Sequence, residues 1–229
     1  MSKNIINLQN FDKILKIDKK NLYITVQSGA KLKDIINTLI SNNFIINSLP
    51  GTFNATVGGC IGSNVHGKDS HTNGVFGSNI MELKVINKNG EILKLNNNDN
   101  DFLYSIGTFG LVNIILEVKL KIHQIPSKTL KVVTKKFYDL SQMEALFEYY
   151  KKNNFIYLGS WIDHFTKESR GIFKAAIWEK NYVKKLNYKK IEMKKIFKNE
   201  SLLSIIYFLP KYLMVNRSII KILNKLLFI

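Results

Sequence analysis

Several residue types are scarce in this sequence. It has one cysteine among 229 residues, Cys60, so no internal disulfide can form, and a lone thiol of this kind usually packs inertly in a reducing compartment. No apolar run reaches the roughly 18 residues needed to span a bilayer, and no apolar leader follows the N-terminal Met-Ser-Lys-Asn. Hydrophobic residues nevertheless make up 45% of the chain, as in a globular protein. The expected location is therefore the cytoplasm.

Acidic residues and arginines are also few. The net charge of +17 comes almost entirely from lysine, since Arg170 and Arg217 are the two arginines. A basic protein often binds nucleic acid or an anionic membrane, but a chain rich in Lys, Asn and Ile is equally typical of a low-GC coding background. We expect no nucleic-acid partner. The basic region after Tyr182, with the apolar run 202–209, predicts either an ordinary helical face or a peripheral contact with the inner face of a membrane.

The hydrophobic periodicity predicts an α+β fold in two parts. In the first part, period-two alternation predicts strands over 22–28 and 114–122 and a hairpin over 81–95 around Asn89-Gly90. An amphipathic helix is predicted over 31–42 and a short helix over 99–105. Pro126-Ser127 interrupts this pattern, and a second one follows over 130–138, 141–152 (a helix), 155–163 and 172–178. The predicted domains are residues 1–125 and 126–229.

The segment from Pro50 to Lys68 is rich in glycine and small polar residues. Glycine lets backbone N–H groups approach a ligand closely, and N–H groups at a turn suit anionic phosphates. Gly58, Gly59 and Gly62 are either a tight turn entering a buried helix or a ligand surface, and Thr56 is either an N-cap or a ligand contact. The spacing matches neither a P-loop nor a dinucleotide fingerprint.

The same segment resembles the FAD-binding domain of the vanillyl-alcohol-oxidase type flavoproteins, most closely the branch of decaprenylphosphoryl-ribose oxidase and the sugar and aldonolactone oxidases. The resemblance rests on motifs in a fixed order, which are Pro50-Gly51-Thr52, Thr56 to Gly59, His66-Gly67-Lys68, Gly107 to Leu111, and Ser160 to Asp163. It implies a PCMH-type FAD-binding domain lacking its N-terminal pyrophosphate-loop lobe, followed by the first part of an α+β substrate domain. Such a chain is expected to be truncated at both ends.

The resemblance also implies the site. Non-covalent FAD would contact Gly51, Thr56, Val57, Gly58, Gly59, Ser63, Asn64, Val65, His66, Gly110 and Ile114. His66 and Lys68 would lie beside the isoalloxazine as catalytic residues, Lys68 and Trp161 would bind substrate, and no metal is implied. Without the resemblance, a lone histidine is more often structural and a lone tryptophan more often a core residue.

The expected function is oxidation of a secondary alcohol of a sugar, sugar-lipid or aldonolactone by hydride transfer to the flavin. The alternative is a non-catalytic or degenerate flavin-binding subunit that needs a complementary chain. The expected partners are a sugar or lipid-linked sugar substrate, such a complementary chain, and a reductase as in sugar-lipid epimerisation.

Overall fold

The computed structural model describes residues 6–179, 189–192 and 217–228. The chain divides into two compact units, Met1–Ile125 and Pro126–Ile229. The basic region predicted after Tyr182 falls largely outside the described residues, and the apolar run 202–209 lies wholly outside them.

The first unit is built on a five-stranded antiparallel sheet in the order β1-β2-β6-β4-β5. Its strands are β1 (Ile14–Asp18), β2 (Tyr23–Gln27), β4 (Ile80–Ile86), β5 (Ile92–Asn96) and β6 (Ile114–Lys121). A separate antiparallel pair joins β3 (Phe44–Ile45) to β7 (His123–Gln124). The helices are α1 (Leu32–Ser41), α2 (Val57–Gly62), α3 (Ser70–Asn73) and α4 (Asn100–Tyr104), with a 3-10 turn over Phe76–Asn79.

The core of the first unit follows from the two periodicities in the sequence. On α1 the apolar stripe is fully buried, and its members are Leu32, Ile35, Ile36, Leu39 and Ile40. Alternate residues of the strands, such as Ile24, Val26 and Leu120, are buried with it. These periods place the apolar side chains on one face of each element, which is why the predicted helix and strands are confirmed.

Two local features differ from the sequence-based expectation. Strand β1 was not predicted, because its five residues do not alternate in burial and Leu15 is 45% exposed. The β4–β5 connection is longer than a two-residue Asn-Gly turn: Asn87 Oδ1 accepts hydrogen bonds from the N–H groups of Asn89 and Glu91, and Gly90 takes φ +82°. The hairpin itself is confirmed.

The second unit has a four-stranded antiparallel sheet in the order β11-β8-β10-β9. The strands are β8 (Thr129–Phe137), β9 (Tyr157–Ile162), β10 (Gly171–Trp178) and β11 (Lys189–Glu192). Helix α5 (Leu140–Lys152) covers a core that includes Phe137, Tyr150, Phe155 and Phe173. Asp139 caps α5 by accepting a hydrogen bond from the Gln142 N–H at 2.8 Å.

Helix α6 (Arg217–Phe228) lies in the C-terminal region for which a helical face was one of the two alternatives, and its last residue packs against the second unit. The Arg170 guanidinium lies 4.2 Å from the centre of the Phe228 ring, and Tyr138 packs edge-on against the same ring. Over the residues that the structure describes, no helix has both the length and the apolar character needed to cross a membrane.

Candidate functional site

Thr56 and the first turn of α2 form a closed hydrogen-bonded structure. Thr56 is the N-cap, and its Oγ1 accepts a hydrogen bond from the Gly59 N–H at 3.2 Å. The N–H of Val57 donates to Ala30 O at 2.9 Å, and that of Gly58 donates to Ser28 O at 2.7 Å. The expectation of exposed N–H donors at this turn is therefore wrong for Val57, Gly58 and Gly59, because each of these N–H groups donates a hydrogen bond within the protein.

The glycines of this region differ in what surrounds them. A Cβ on Gly58 would lie 3.1 Å from Ser28 Cβ, so close packing against Ser28 accounts for this glycine. A Cβ on Gly59 would meet only Thr56 Oγ1, at 3.2 Å, and one on Gly51 would meet nothing within 4 Å. Since Gly51 is exposed and has no positive φ, the fold of this chain does not require glycine there. The open space beside Gly51 leaves room for a ligand to lie against the backbone.

The chain leaving α2 turns sharply and leads to the predicted catalytic residues. Asn64 adopts φ +42°, and its Oδ1 accepts a hydrogen bond from the Gly77 N–H at 2.9 Å. Val65, half-buried, bonds through its N–H to Cys60 O and through its O to the Phe76 N–H. His66 pairs with Val75 in an isolated β-bridge. These bonds fix the backbone while Ser63, His66 and Lys68 remain exposed.

A buried polar network follows directly after Lys68. Asp69 is 1% exposed, and its Oδ2 accepts hydrogen bonds from the Ser48 N–H at 2.9 Å and from Asn73 Nδ2 at 3.0 Å. Ser48, fully buried at φ +60°, donates from Oγ to Gly74 O at 2.9 Å. Sequence reasoning missed Asp69, since an aspartate beside a lysine in a polar loop usually points to solvent.

The turn before β6 is bonded to the far end of α2. The Gly107 N–H donates to Ile61 O at 3.0 Å, and the Phe109 N–H donates to Gly62 O at 2.9 Å. Gly107 and Gly110 have φ of +76° and +74°, which explains both glycines. Gly110 is thereby placed next to α2, and Ile114 opens β6 half-buried. Phe109 and Leu111 on this turn are 75% and 86% exposed.

Trp161, the predicted substrate residue, belongs to the second unit. It lies half-buried on β9, opposite Ile172 of β10. A Cβ on Gly171 would lie 2.1 Å from Trp161 O, so the glycine allows the two strands to approach at this point.

Two titratable groups of the first unit, Cys60 and His123, have pKa values that burial shifts. Burial raises the pKa of the Cys60 thiol to about 12, which makes it a packing residue and not a nucleophile. Burial and the nearby Lys121 lower the pKa of His123, while Asp69 opposes that shift. Within residues 6–179, 189–192 and 217–228, no three His, Cys, Asp or Glu side chains gather in a way that could hold a metal ion.

Comparison with known proteins finds a family model and several curated relatives. The family model described as "FAD binding domain" matches residues 2–96. Decaprenylphosphoryl-beta-D-ribose oxidase of Mycolicibacterium smegmatis is 28% identical over 178 residues, which are 76% of this chain and 38% of the relative. D-arabinono-1,4-lactone oxidase of Candida glabrata is 28% identical over 131 residues, or 56% of this chain and 25% of the relative. L-gulonolactone oxidase of Bos taurus is 25% identical over 119 residues, or 51% of this chain and 27% of the relative.

The chain therefore spans about two fifths or less of the length of these curated relatives. The match confirms the resemblance drawn from the motifs: residues 2–96 match an FAD binding domain, the curated relatives are vanillyl-alcohol-oxidase type flavoproteins, and the cofactor that they support is FAD.

Proposed function

We propose that this chain is an FAD-dependent oxidoreductase, or part of one, that oxidises a secondary alcohol of a sugar, sugar-lipid or aldonolactone. The observation that carries the proposal is the open backbone at Gly51, within the residues that match an FAD binding domain. The segment that follows α2 in the same domain exposes His66 and Lys68. The names of the relatives, which include a ribose-lipid oxidase and two lactone oxidases, support the substrate class.

The proposed cofactor contacts divide by the kind of surface they offer. Gly51 and Gly59 present backbone without an obstructing side chain, and Gly110 does so from the neighbouring turn. Thr56, Val57 and Gly58 form the start of α2, next to Gly59. Their hydrogen bonds there are made to other groups of the protein, so these groups offer the cofactor shape more than hydrogen-bond donors. We propose that Ser63, Asn64, Val65, His66 and Ile114 complete the surface along the cofactor. Bound FAD supplies a two-electron acceptor for a hydride.

The proposed chemistry uses the two exposed side chains of the His66–Lys68 segment. Oxidation of a carbinol requires removal of its hydroxyl proton, and His66 is the residue proposed to orient that hydroxyl and accept the proton. The Lys68 ammonium binds a hydroxylated or anionic substrate and stabilises negative charge on its oxygen. Trp161 is proposed to offer an aromatic face to the sugar ring.

The second candidate is a non-catalytic flavin-binding subunit that needs a complementary chain. The engaged N–H groups at Val57, Gly58 and Gly59 favour it, because pyrophosphate then needs donors from elsewhere. A reductase partner and peripheral contact with the inner membrane face are further proposals. The region predicted to make the membrane contact lies mostly outside the described residues.

The decisive experiment is reconstitution of the 229-residue chain with FAD, followed by gel filtration and a visible spectrum. Retained flavin that is bleached anaerobically by a sugar or aldonolactone supports the oxidoreductase. Retained flavin that no member of a substrate panel reduces favours the binding subunit. A chain that retains no flavin, alone or with the segment encoded next to it, contradicts both.

A further inference from the structure

Asp69 connects the two loops to which the proposed cofactor and substrate contacts belong. Its carboxylate is on the segment that carries His66 and Lys68, and it accepts the N–H of Ser48 at 2.9 Å. Ser48 lies three positions before Gly51, the open glycine. A single buried carboxylate oxygen therefore links the loop of the predicted catalytic residues to the loop of a predicted cofactor contact.

The backbone at this junction leaves little freedom. Ser48 holds φ +60°, a conformation that costs a non-glycine residue free energy unless its surroundings impose it. Gly67 lies directly against Leu49, the residue that follows Ser48. A Cβ on Gly67 would be 2.9 Å from both Leu49 N and Leu49 O. The two loops are thus in backbone contact, and the Asp69–Ser48 hydrogen bond closes that contact.

We propose that Asp69 is a positioning residue of the flavin site: its buried carboxylate holds the His66–Lys68 segment against the chain leading to Gly51 and so sets where the Lys68 ammonium lies. This inference rests on the proposed function, since it assigns Asp69 a role toward FAD and substrate. Asp69 touches neither reacting group and acts through the backbone of its neighbours.

The positioning role of Asp69 depends on the hydrogen bonds that its carboxylate accepts more than on its negative charge. Oδ2 accepts both bonds, from Ser48 N–H and from Asn73 Nδ2, whereas Oδ1 has no hydrogen-bond partner among the described residues. An asparagine oxygen could accept the same two bonds, so Asp69→Asn should preserve the arrangement. Alanine would leave both donors without their acceptor in a buried place, and the loops would separate.

The test is chemical footprinting of Lys68 with an acetylating ester, with and without FAD, read by mass spectrometry of the Lys68 peptide. FAD is set at about ten times each variant's own Kd, where full protection slows acetylation about tenfold. Matching the saturation makes the protection report position and not affinity. Lys88, exposed in the β4–β5 turn, is the internal control and should show no protection.

The expected result is about tenfold protection of Lys68 in the parent and in Asp69→Asn, and less than about twofold in Asp69→Ala. Asn73→Ala removes one of the two donors and should give an intermediate value, which keeps the test valid if Asp69→Ala does not fold. Asp99→Ala removes a carboxylate that accepts the Asn96 N–H at 2.7 Å elsewhere in the unit, and it should leave Lys68 protected.

The outcomes separate the two proposals. Parent-like protection in folded Asp69→Ala, or in Asn73→Ala where the first variant does not fold, overturns the positioning role and leaves the proposed function intact. Absence of Lys68 protection in an FAD-bound parent also overturns it. Failure of the parent to bind FAD, alone or with the segment encoded next to it, removes the proposed function, and the positioning role with it. A purely structural Asp69 would lower the urea midpoint of Asp69→Ala without changing Lys68 protection.

Discussion

The side-chain amide of Asn224 donates a 2.7 Å hydrogen bond to the carboxylate of Asp163, across a separation of 61 residues in the chain. Both side chains are buried, and the Arg170 Nε lies 3.6 Å from the other oxygen of the same carboxylate. This contact fixes α6 on the second unit. It also means that Asp163, predicted only as part of a motif, is a structural residue of that unit.

Replacing Asn224 by alanine should destabilise the second unit by about 1–3 kcal/mol, because a buried carboxylate loses a hydrogen-bond donor. Urea unfolding followed by the fluorescence of Trp161 and Trp178 measures this change. Lys225→Ala, at an exposed position of the same helix, should shift stability by about 0.5 kcal/mol or less. Equal midpoints for Asn224→Ala and the parent would contradict the prediction.

Two glycine substitutions in the first unit should have opposite consequences. Gly51→Leu places a side chain where the protein has nothing within 4 Å, so the fold should persist while FAD affinity falls at least about tenfold. Gly29→Ala should unfold the unit more easily, by about 1–3 kcal/mol, because its Cβ would lie 2.3 Å from Leu8 O.

Flavin fluorescence titration measures the affinity, and urea unfolding measures the stability. Asn89→Leu, which places the same leucine side chain at another exposed turn, is the control and should change neither. An unaltered FAD affinity in Gly51→Leu would remove Gly51 from the proposed site.

Lys68→Met should leave the flavin spectrum and the fold nearly unchanged and lower the rate of flavin reduction about a hundredfold or more. The reason is that a fixed charge acting on a transition state is worth a few kcal/mol. Anaerobic stopped-flow reduction, with whichever alcohol reduces the parent flavin, gives the rate. Lys88→Met is the matched surface control. Reduction at the parent rate would make Lys68 an ordinary surface lysine.

The lowered pKa of His123 predicts that the stability of the first unit depends on pH. Burial and Lys121 lower its pKa below the ordinary 6.5, with Asp69 opposing, so the folded state disfavours the charged ring. The unfolded state then binds more protons below about pH 6.5, and stability is full above that pH and decreases as the pH falls toward 5.

His123→Gln should lessen this decrease. Urea unfolding of the first unit can be followed through exposure of the buried Cys60 to dithiodipyridine, which reacts with thiols in mild acid. The difference in stability between pH 7 and pH 5 should be smaller in the variant than in the parent. An identical difference would show that other groups control the pH response.

The sequence predicts those features that depend on local periodicity. The stripe on α1 and the alternation along β6 each follow from side chains repeating at the period of their element. The glycine-rich motifs, in order, were enough to identify FAD. Features that depend on tertiary contact were not predictable: Asp69 is indistinguishable in sequence from a solvent-exposed aspartate, and the N–H groups of Val57 and Gly58 bond to the carbonyls of Ala30 and Ser28.

The strand order of the first unit has a consequence for how the chain must be produced. Strand β6 lies between β2 and β4, and it is the element that joins the early part of the sheet to the later part. The family match ends at residue 96, before β6 begins at Ile114. A fragment cut at the family boundary would leave β2 and β4 each with an unpaired edge, which invites aggregation. During synthesis, too, β2 has to wait for residues 114–121 to emerge from the ribosome before its second neighbour exists, so the shortest expression fragment worth making runs through Ile125.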